Sequence, residues 1–198
     1  MSTVTVSDTP FVGSDRLLVG IVLSVLTFWL FAQSVINVVP AMKSSLDISL
    51  ETLTLAVSLS ALFSGCFVVA SGGLADKFGR MRMTTLGLGL SIIGSAMLVL
   101  AQGPGLFLAG RVLQGLSAAC IMPATLALIK TWYQGRARQR AVSFWVIGSW
   151  GGSGLCSFVG GAIATGLGWR WIFVFSIAVA LLALFLLRGT PESRSASA

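Results

Sequence analysis

The chain contains no histidine, one tyrosine, three cysteines and only six acidic residues in a length of 198. Each scarcity removes a class of function. Without histidine there is no imidazole to relay protons, to act as the base of a nucleophile triad or to ligate zinc. Cys66, Cys120 and Cys156 are odd in number, lie inside apolar stretches and form no Cys-x-x-Cys. Neither a disulfide framework nor a metal site is indicated, and the three read as small buried packing residues. No nucleophile stands beside a base and no phosphate-cradling loop is present, so the chain does not read as an enzyme and no cofactor is expected. Charged residues make up 10% of the chain, against about 25% in a soluble domain.

What fills the space is apolar. The chain is 56% hydrophobic and carries 23 glycines, with a mean hydropathy of +0.94. About 20 apolar residues are needed to cross a bilayer as a helix, and six runs of that kind can be read: 17–39 ending at Pro40, 52–74, 83–101, 106–129, 141–165 and 171–187. Their length and the lack of strict alternation predict helices rather than a barrel. Residues 1–16 are polar, with Asp8 and Asp15, and the apolar run after them has no cleavage-like exit, so no signal peptide is expected. The organisation read from this is a polar segment 1–16, a six-helix membrane domain 17–187 and a polar tail 188–198.

The net charge of +7 reads as topology rather than as a nucleic-acid surface. Arg16, Lys77, Arg80, Arg82, Lys130, Arg136, Arg138, Arg140, Arg188 and Arg194 fall on one side if the six spans alternate, and only Lys43 and Arg170 fall on the other. Ten cations against two place both termini in the cytoplasm of a multi-pass cell-membrane protein. The partners expected on these grounds are the lipid bilayer and no nucleic acid. Trp132, Tyr133, Trp169 and Trp171 stand at helix ends and read as interface anchors, while Trp29, Trp145 and Trp150 lie deeper. In the fifth run Gly148, Gly152, Cys156, Gly160 and Ala164 recur every four residues, and Gly161 is counted on the same small-residue face. Such a small-residue face serves either close helix packing or sliding.

Three segments carry chemistry. The loop after the second run reads Gly72-Gly73-Leu74-Ala75-Asp76-Lys77-Phe78-Gly79-Arg80-Met81-Arg82, with one carboxylate at the membrane boundary, three cations close behind it and a glycine suited to a turn. It is similar to the signature loop of the major facilitator superfamily, G-x-L-A-D-[R/K]-x-G-[R/K]-[R/K], and departs from it at Met81. Arg111 is the one charged side chain well inside a run. A cation at that depth costs roughly 2.5 kcal/mol or more, so it either faces a polar partner or snorkels to the surface. The stretch Arg111-Val112-Leu113-Gln114-Gly115-Leu116-Ser117-Ala118-Ala119 resembles the same superfamily's fourth-helix motif R-x-x-Q-G-x-x-A-A. Arg111, Gly115, Ala119 and Pro123 share one face. In the first run Trp29, Gln33 and Asn37 lie on one face, as substrate contacts or as interhelical glue.

The resemblance spans the first to the sixth run, and the chain is identified as similar to the N-terminal six-helix half of a major facilitator, two inverted three-helix repeats. Gly160 and Gly161 keep the glycine pair of the drug antiporters' G-P-x-x-G-G motif without its Gly-Pro. Gly168-Trp169-Arg170-Trp171-Ile172-Phe173 is very like the sixth-helix start of multidrug efflux members, the fourteen-helix drug:proton antiporters above all. Ile36-Asn37-Val38-Val39-Pro40 keeps part of that group's first-helix motif but lacks its aspartate. The resemblance implies that Gly72, Asp76, Lys77, Gly79 and Arg80 form a cytoplasmic gate. It implies that Arg111, Gln114 and Gly115 serve coupling, that Trp29, Gln33 and Asn37 line a substrate path, and that a proton gradient drives export of drugs or lipophilic cations. A metabolite carrier of sugars or organic anions, and a non-transporting half, are the alternative readings. No acid stands in mid-membrane, so the proton-carrying carboxylate is either Asp76 or lies outside this chain. The complementary half would be a missing C-terminal half, a separate chain or a second copy.

Overall fold

The computed structural model describes residues 11–194, the side chain of Gln33 excepted. Within them six helical spans are long and apolar enough to cross a membrane: α1 (Asp15–Leu46), α2 (Leu50–Phe78), α3 (Arg80–Leu100), α4 (Pro104–Trp132), a fifth span at Gly135–Gly166, and α7 (Arg170–Leu187). The fifth span is α5 (Gly135–Val146), a π-helical turn (Ile147–Gly151) and α6 (Gly152–Gly166). No strand occurs among the described residues. Helix starts are chemically marked: the hydroxyls of Ser14 and Ser49 accept from Leu17 N and Thr52 N. Pro104 opens α4, where its missing N–H would have had no helical partner.

Three expectations about these elements fail for physical reasons. The first span does not end at Pro40, because α1 runs through it to Leu46 and turns only at Asp47, a left-handed residue (φ 51°). A proline removes one hydrogen bond, which a packed membrane helix tolerates, and Lys43 in the last turn complements the helix dipole. Arg136, Arg138 and Arg140 are not loop residues, since they ride exposed on the first turns of α5. Of the expected interface anchors, Tyr133 (4% exposed) and Trp169 (5%) are core residues, and Trp171 (51%) is the exposed one. Trp169 is buried because it stands edge-on between Phe107 and Phe173, with ring centroids 6.4 and 6.1 Å away.

The packing follows an internal repeat. Matching α1–α3 to α4–α7 pairs α1 with α4, α2 with the fifth span and α3 with α7. The first helix of each triplet packs on the last two of the other: α4 on α2 and α3, α1 on the fifth span and α7. The equivalent pairs α1·α4 and α3·α7 also touch. This is the arrangement of two inverted three-helix repeats. α2 and the fifth span, equivalent in the two triplets, are the least buried of the six together with α7.

Glycine sets the closest approaches. On α3 and α4, a Cβ on Gly94 would stand 2.9 Å from the Gly110 carbonyl oxygen, and the reverse holds at the same distance. The small-residue face of the fifth span packs on α1. Gly148 abuts Val22, Gly152 abuts Leu26 and Trp29, the Cys156 carbonyl accepts from Ser34 Oγ (2.9 Å), and Gly160 abuts Ser34. Gly161 does not belong to this face, and nothing lies within 4 Å of where its Cβ would be. Cys120 and Cys156 are buried as expected, but Cys66 is exposed on α2.

At the basic end, residues before α1 dock on the end of α4. Gly13 N donates to the Trp132 carbonyl (2.8 Å), Tyr133 Oη donates to the Ser14 carbonyl (2.6 Å), and Phe11 meets Trp132 edge-on (5.0 Å). Burial, then the charge of Asp15, push the Tyr133 phenol up to about 12.

Two measurements check this packing. Gly94→Ala forces the α3–α4 crossing apart and should cost about 1–3 kcal/mol, lowering the thermal midpoint in detergent by several degrees. Gly89→Ala, which meets nothing on the same helix, should leave it unchanged or slightly raised. Equal midpoints would remove the crossing from the account. Tyr133 is the single tyrosine, so tyrosinate absorbance reads it alone. A phenol held protonated in the fold stabilises fully below its unfolded value near 10, and that contribution is lost as pH rises through 12. Folded protein should therefore ionise near pH 12 and denatured protein near 10; a native midpoint at 10 would contradict the docking.

Candidate functional site

Two polar clusters stand out of the apolar interior. The first surrounds Arg111, eighth residue of α4 and roughly 10 Å along it at 1.5 Å per residue. Its side chain is fully buried (0% exposed), so it does not snorkel. Nη1 donates to the Phe31 carbonyl on α1 (2.9 Å) and to Gln114 Oε1 (2.9 Å). Nη2 donates to Ser60 Oγ on α2 (2.7 Å), and Nε to the Ala56 carbonyl (3.3 Å). Gln114 Nε2 donates to Ser95 Oγ on α3 (3.2 Å). One guanidinium and its glutamine therefore tie α1, α2, α3 and α4 together. Gly115 makes this possible, because a Cβ there would overlap the Ser60 carbonyl oxygen. The three residues expected to act together, Arg111, Gln114 and Gly115, do form one site.

Every acceptor on Arg111 is neutral. The described acids, Asp15, Asp47, Glu51, Asp76 and Glu192, all lie at or beyond helix ends. The cage thus holds a positive charge with neutral partners only among the described residues: the hydrogen bonds and the Phe31 ring, whose centroid is 6.0 Å from the guanidinium carbon. At an effective dielectric of 20, such a charge lowers the energy of an anion 6 Å away by about 3 kcal/mol. Chemically, it favours the ionised form of any carboxylate that approaches.

The second cluster sits at the basic end, where α2 turns into α3. Arg80 grips Asp76 Oδ1 through Nε (3.0 Å) and Nη2 (2.7 Å), and Nη1 donates to Thr131 Oγ1 on α4. Lys77 stays outside this pair, over the Phe78 ring at 5.8 Å. Gly72 abuts Pro123 of α4 at an ordinary distance (3.5 Å). Gly79 has φ +125°, a conformation that other residues rarely adopt. A Cβ on it would also strike the Glu192 carboxylate, with Oε2 at 2.7 Å.

Glu192 is a residue that the motif reading missed. Its Oε1 accepts from Met81 N (2.9 Å) and its Oε2 from Arg82 N (3.0 Å), while the Ser193 carbonyl accepts from Arg80 N (3.0 Å). The segment after α7 therefore caps the first turn of α3. A carboxylate on a helix N-terminus is favourable, and here it is Glu192 that supplies one. No local signal points to it, since it stands 111 residues from Met81. Arg170 was missed likewise at the opposite end. It binds the carbonyls of Val99 (3.2 Å) and Ala101 (2.9 Å) and Ser45 Oγ (3.2 Å), and stacks over Trp169 at 4.4 Å.

The substrate-path residues do not gather into one site. Trp29 packs on Gly152 and its Nε1 has no partner among the described residues. Asn37 Nδ2 donates to Ser157 Oγ on α6 (2.5 Å), which is interhelical bonding. It also lines a cavity of about 320 Å³ at the end away from the basic loops, with Pro40, Gly161 and Thr165. Gln33 lies on α1, and its side chain is outside the described residues.

A six-span helical domain built of two inverted three-helix repeats is the architecture found in halves of secondary transporters. The Major Facilitator Superfamily model matches residues 17–198, and the chain belongs to that superfamily, whose members are transporters and not enzymes. The chain is 60% identical over 187 residues to the quinolone resistance protein NorB of Staphylococcus aureus, in strains JH9 and Newman alike. That match covers 94% of this chain and 40% of the relative, so the chain spans well under half the length of the curated relatives it matches. The fold is similar to the proton:xylose symporter XylE (TM-score 0.78, 19% identity, 90% of this chain and 45% of that one). It is similar also to a peptide transporter POT (TM-score 0.76, 18% identity, 88% and 37%).

Removing the carboxylate cap should loosen the start of α3. For Glu192→Ala the loss of a helix cap is about 1 kcal/mol. Amide exchange at Met81 and Arg82 should accelerate about fivefold, with amides in mid-α3 unchanged. Unaltered exchange at both positions would show that the tail does not cap the helix.

Proposed function

We propose that the chain is the N-terminal half of a proton-driven exporter of drugs, quinolone-like compounds among them, in the cell membrane. The observation that carries this reading is the 60% identity across 94% of the chain to a quinolone resistance protein. Likenesses at 19% and 18% identity concern the fold alone, and nothing favours a sugar or peptide cargo. The fourteen-helix antiporter group is the best fit among efflux members, on the sixth-helix start at 168–173 and the first-helix remnant at 36–40. The termini and the Asp76–Arg82 connection face the cytoplasm, because ten cations stand at that end against two at the other. Segments 1–16 and 188–198 are then cytoplasmic, flanking the membrane domain 17–187.

In this reading the Asp76–Arg80 pair, with Lys77 beside it, meets the complementary half and holds one access state closed, and Gly79 permits its turn. Helices outside this chain close the substrate path, Trp29, Gln33 and Asn37 line its near wall, and they supply the proton-carrying carboxylate, which Arg111 keeps ionised until substrate or proton arrives. A proton crossing 100 mV releases about 2.3 kcal/mol, enough to drive export against a substantial gradient.

The test uses cells expressing the whole transporter. Fluoroquinolone accumulation should be low, and should rise to the level of cells lacking the transporter when an uncoupler is added. Arg111→Lys keeps the charge but cannot make the four bonds of the guanidinium, and should raise accumulation to the uncoupled level. Accumulation indifferent to the uncoupler would sink proton-driven export; full export by Arg111→Lys would remove Arg111 from coupling.

A further inference from the structure

At the basic end a cleft of about 210 Å³ lies at the start of α1 and the end of α7, lined by Phe11, Arg16, Leu17, Leu186, Arg188 and Thr190 among others. Its mouth is cationic and its floor apolar. Arg16 is exposed and anchored: Nη2 donates to the Phe185 carbonyl (2.9 Å), and its guanidinium lies 5.3 Å from the Phe185 ring centroid. That leaves Nε and Nη1 without a partner among the described residues. Arg188 is exposed and makes no side-chain hydrogen bond or ion pair among the described residues. It also lines a second cleft, of about 290 Å³, against Met81 and Thr85 of α3. No described acid lines either cleft. Asp15, in the same turn as Arg16, is turned to the other side of α1, where Arg140 holds it at 3.1 Å. Below the arginines the α7 surface presents exposed Leu181, Leu182 and Phe185, an apolar track running toward the membrane interior.

We propose that this cleft is a binding site for the phosphate of an anionic phospholipid, phosphatidylglycerol being the simplest. Two guanidinium forks offer planar donor pairs suited to phosphate oxygens, and the α1 N-terminus beside them adds a positive dipole end. The apolar floor and the α7 track receive the glycerol backbone and an acyl chain. A basic pocket between membrane helices at the headgroup level is the expected setting for such a lipid. The bound lipid bridges the two helices that carry the N-terminal docking segment and the Glu192 tail. It therefore stabilises the basic end independently of the drug pathway.

The test is native mass spectrometry of the purified transporter, with phosphatidylglycerol or phosphatidylcholine added to the detergent. A parallel thermal-shift series adds soluble glycerol phosphate. Wild type should retain phosphatidylglycerol, should discriminate against phosphatidylcholine and should not respond to glycerol phosphate. Each arginine near an anionic surface contributes about fivefold, so Arg16→Gln with Arg188→Gln should weaken retention about thirtyfold. Arg16→Lys with Arg188→Lys should keep part of it, and Arg136→Gln, outside the cleft, should change nothing. Equal retention of the two lipids by wild type would overturn the proposal even if the double variant failed to fold. Undiminished retention by the folded double variant, or an equal response to glycerol phosphate, would overturn it too.

Discussion

A guanidinium buried in the membrane interior without a counter-ion is the constraint around which this half is organised. It is tolerable because four of its five N–H donors are met, by carbonyls from α1 and α2, a hydroxyl from α2 and Gln114 on its own helix, while the Phe31 ring lies 6.0 Å from the guanidinium carbon. Losing any one acceptor would leave a charged donor unsatisfied in a medium with no water to replace it. The cage therefore dictates distances between four helices. Those distances in turn demand glycine where backbones touch, at Gly115 against Ser60 and at Gly94 against Gly110. Apolar clusters fill the space on either side of it, one around Phe31, Phe107 and Trp169 and one around Leu17, Ile121 and Tyr133.

The two ends of the domain are closed by different chemistry. At the basic end, segments distant in sequence cap helices: residues 11–14 on the end of α4, and Glu192 with Ser193 on the start of α3. At the other end a single arginine, Arg170, satisfies the last carbonyls of α3 and reaches α1 through Ser45. Together with the glycine-lined contact between α1 and the fifth span, these ties join the six helices into one packed unit. The π-helical turn at Ile147–Gly151 is the one break in regular helix within a span, and such turns recur at functional sites.

Much of this was legible beforehand. Six apolar runs and the small-residue face of the fifth span emerge from spacing, because burial against lipid and helical periodicity act locally; the grouping of Arg111, Gln114 and Gly115 comes from the resemblance of that stretch to the fourth-helix motif. The errors share a cause. Pro40 reads as a stop, yet tertiary packing carries α1 past it. Tyr133 and Trp169 read as interface anchors, yet each is enclosed by helices remote in sequence. Gly161 reads like its neighbour Gly160, but one residue along a helix is a 100° turn, and it faces open space. Glu192 and Arg170 read as ordinary loop charges because their partners lie 111 and about 70 residues away.

The amino-acid order alone determined the number of the spans and the end at which positive charge collects, and it left Arg111 a choice between a polar partner and snorkelling. These follow from hydrophobic transfer and desolvation, which act on each segment whatever its neighbours. Which atoms meet that arginine, which carboxylate caps α3, and which aromatic residues are enclosed were decided only when the two triplets packed across each other. Those are contacts between groups tens of residues apart, and no local pattern encodes the partner.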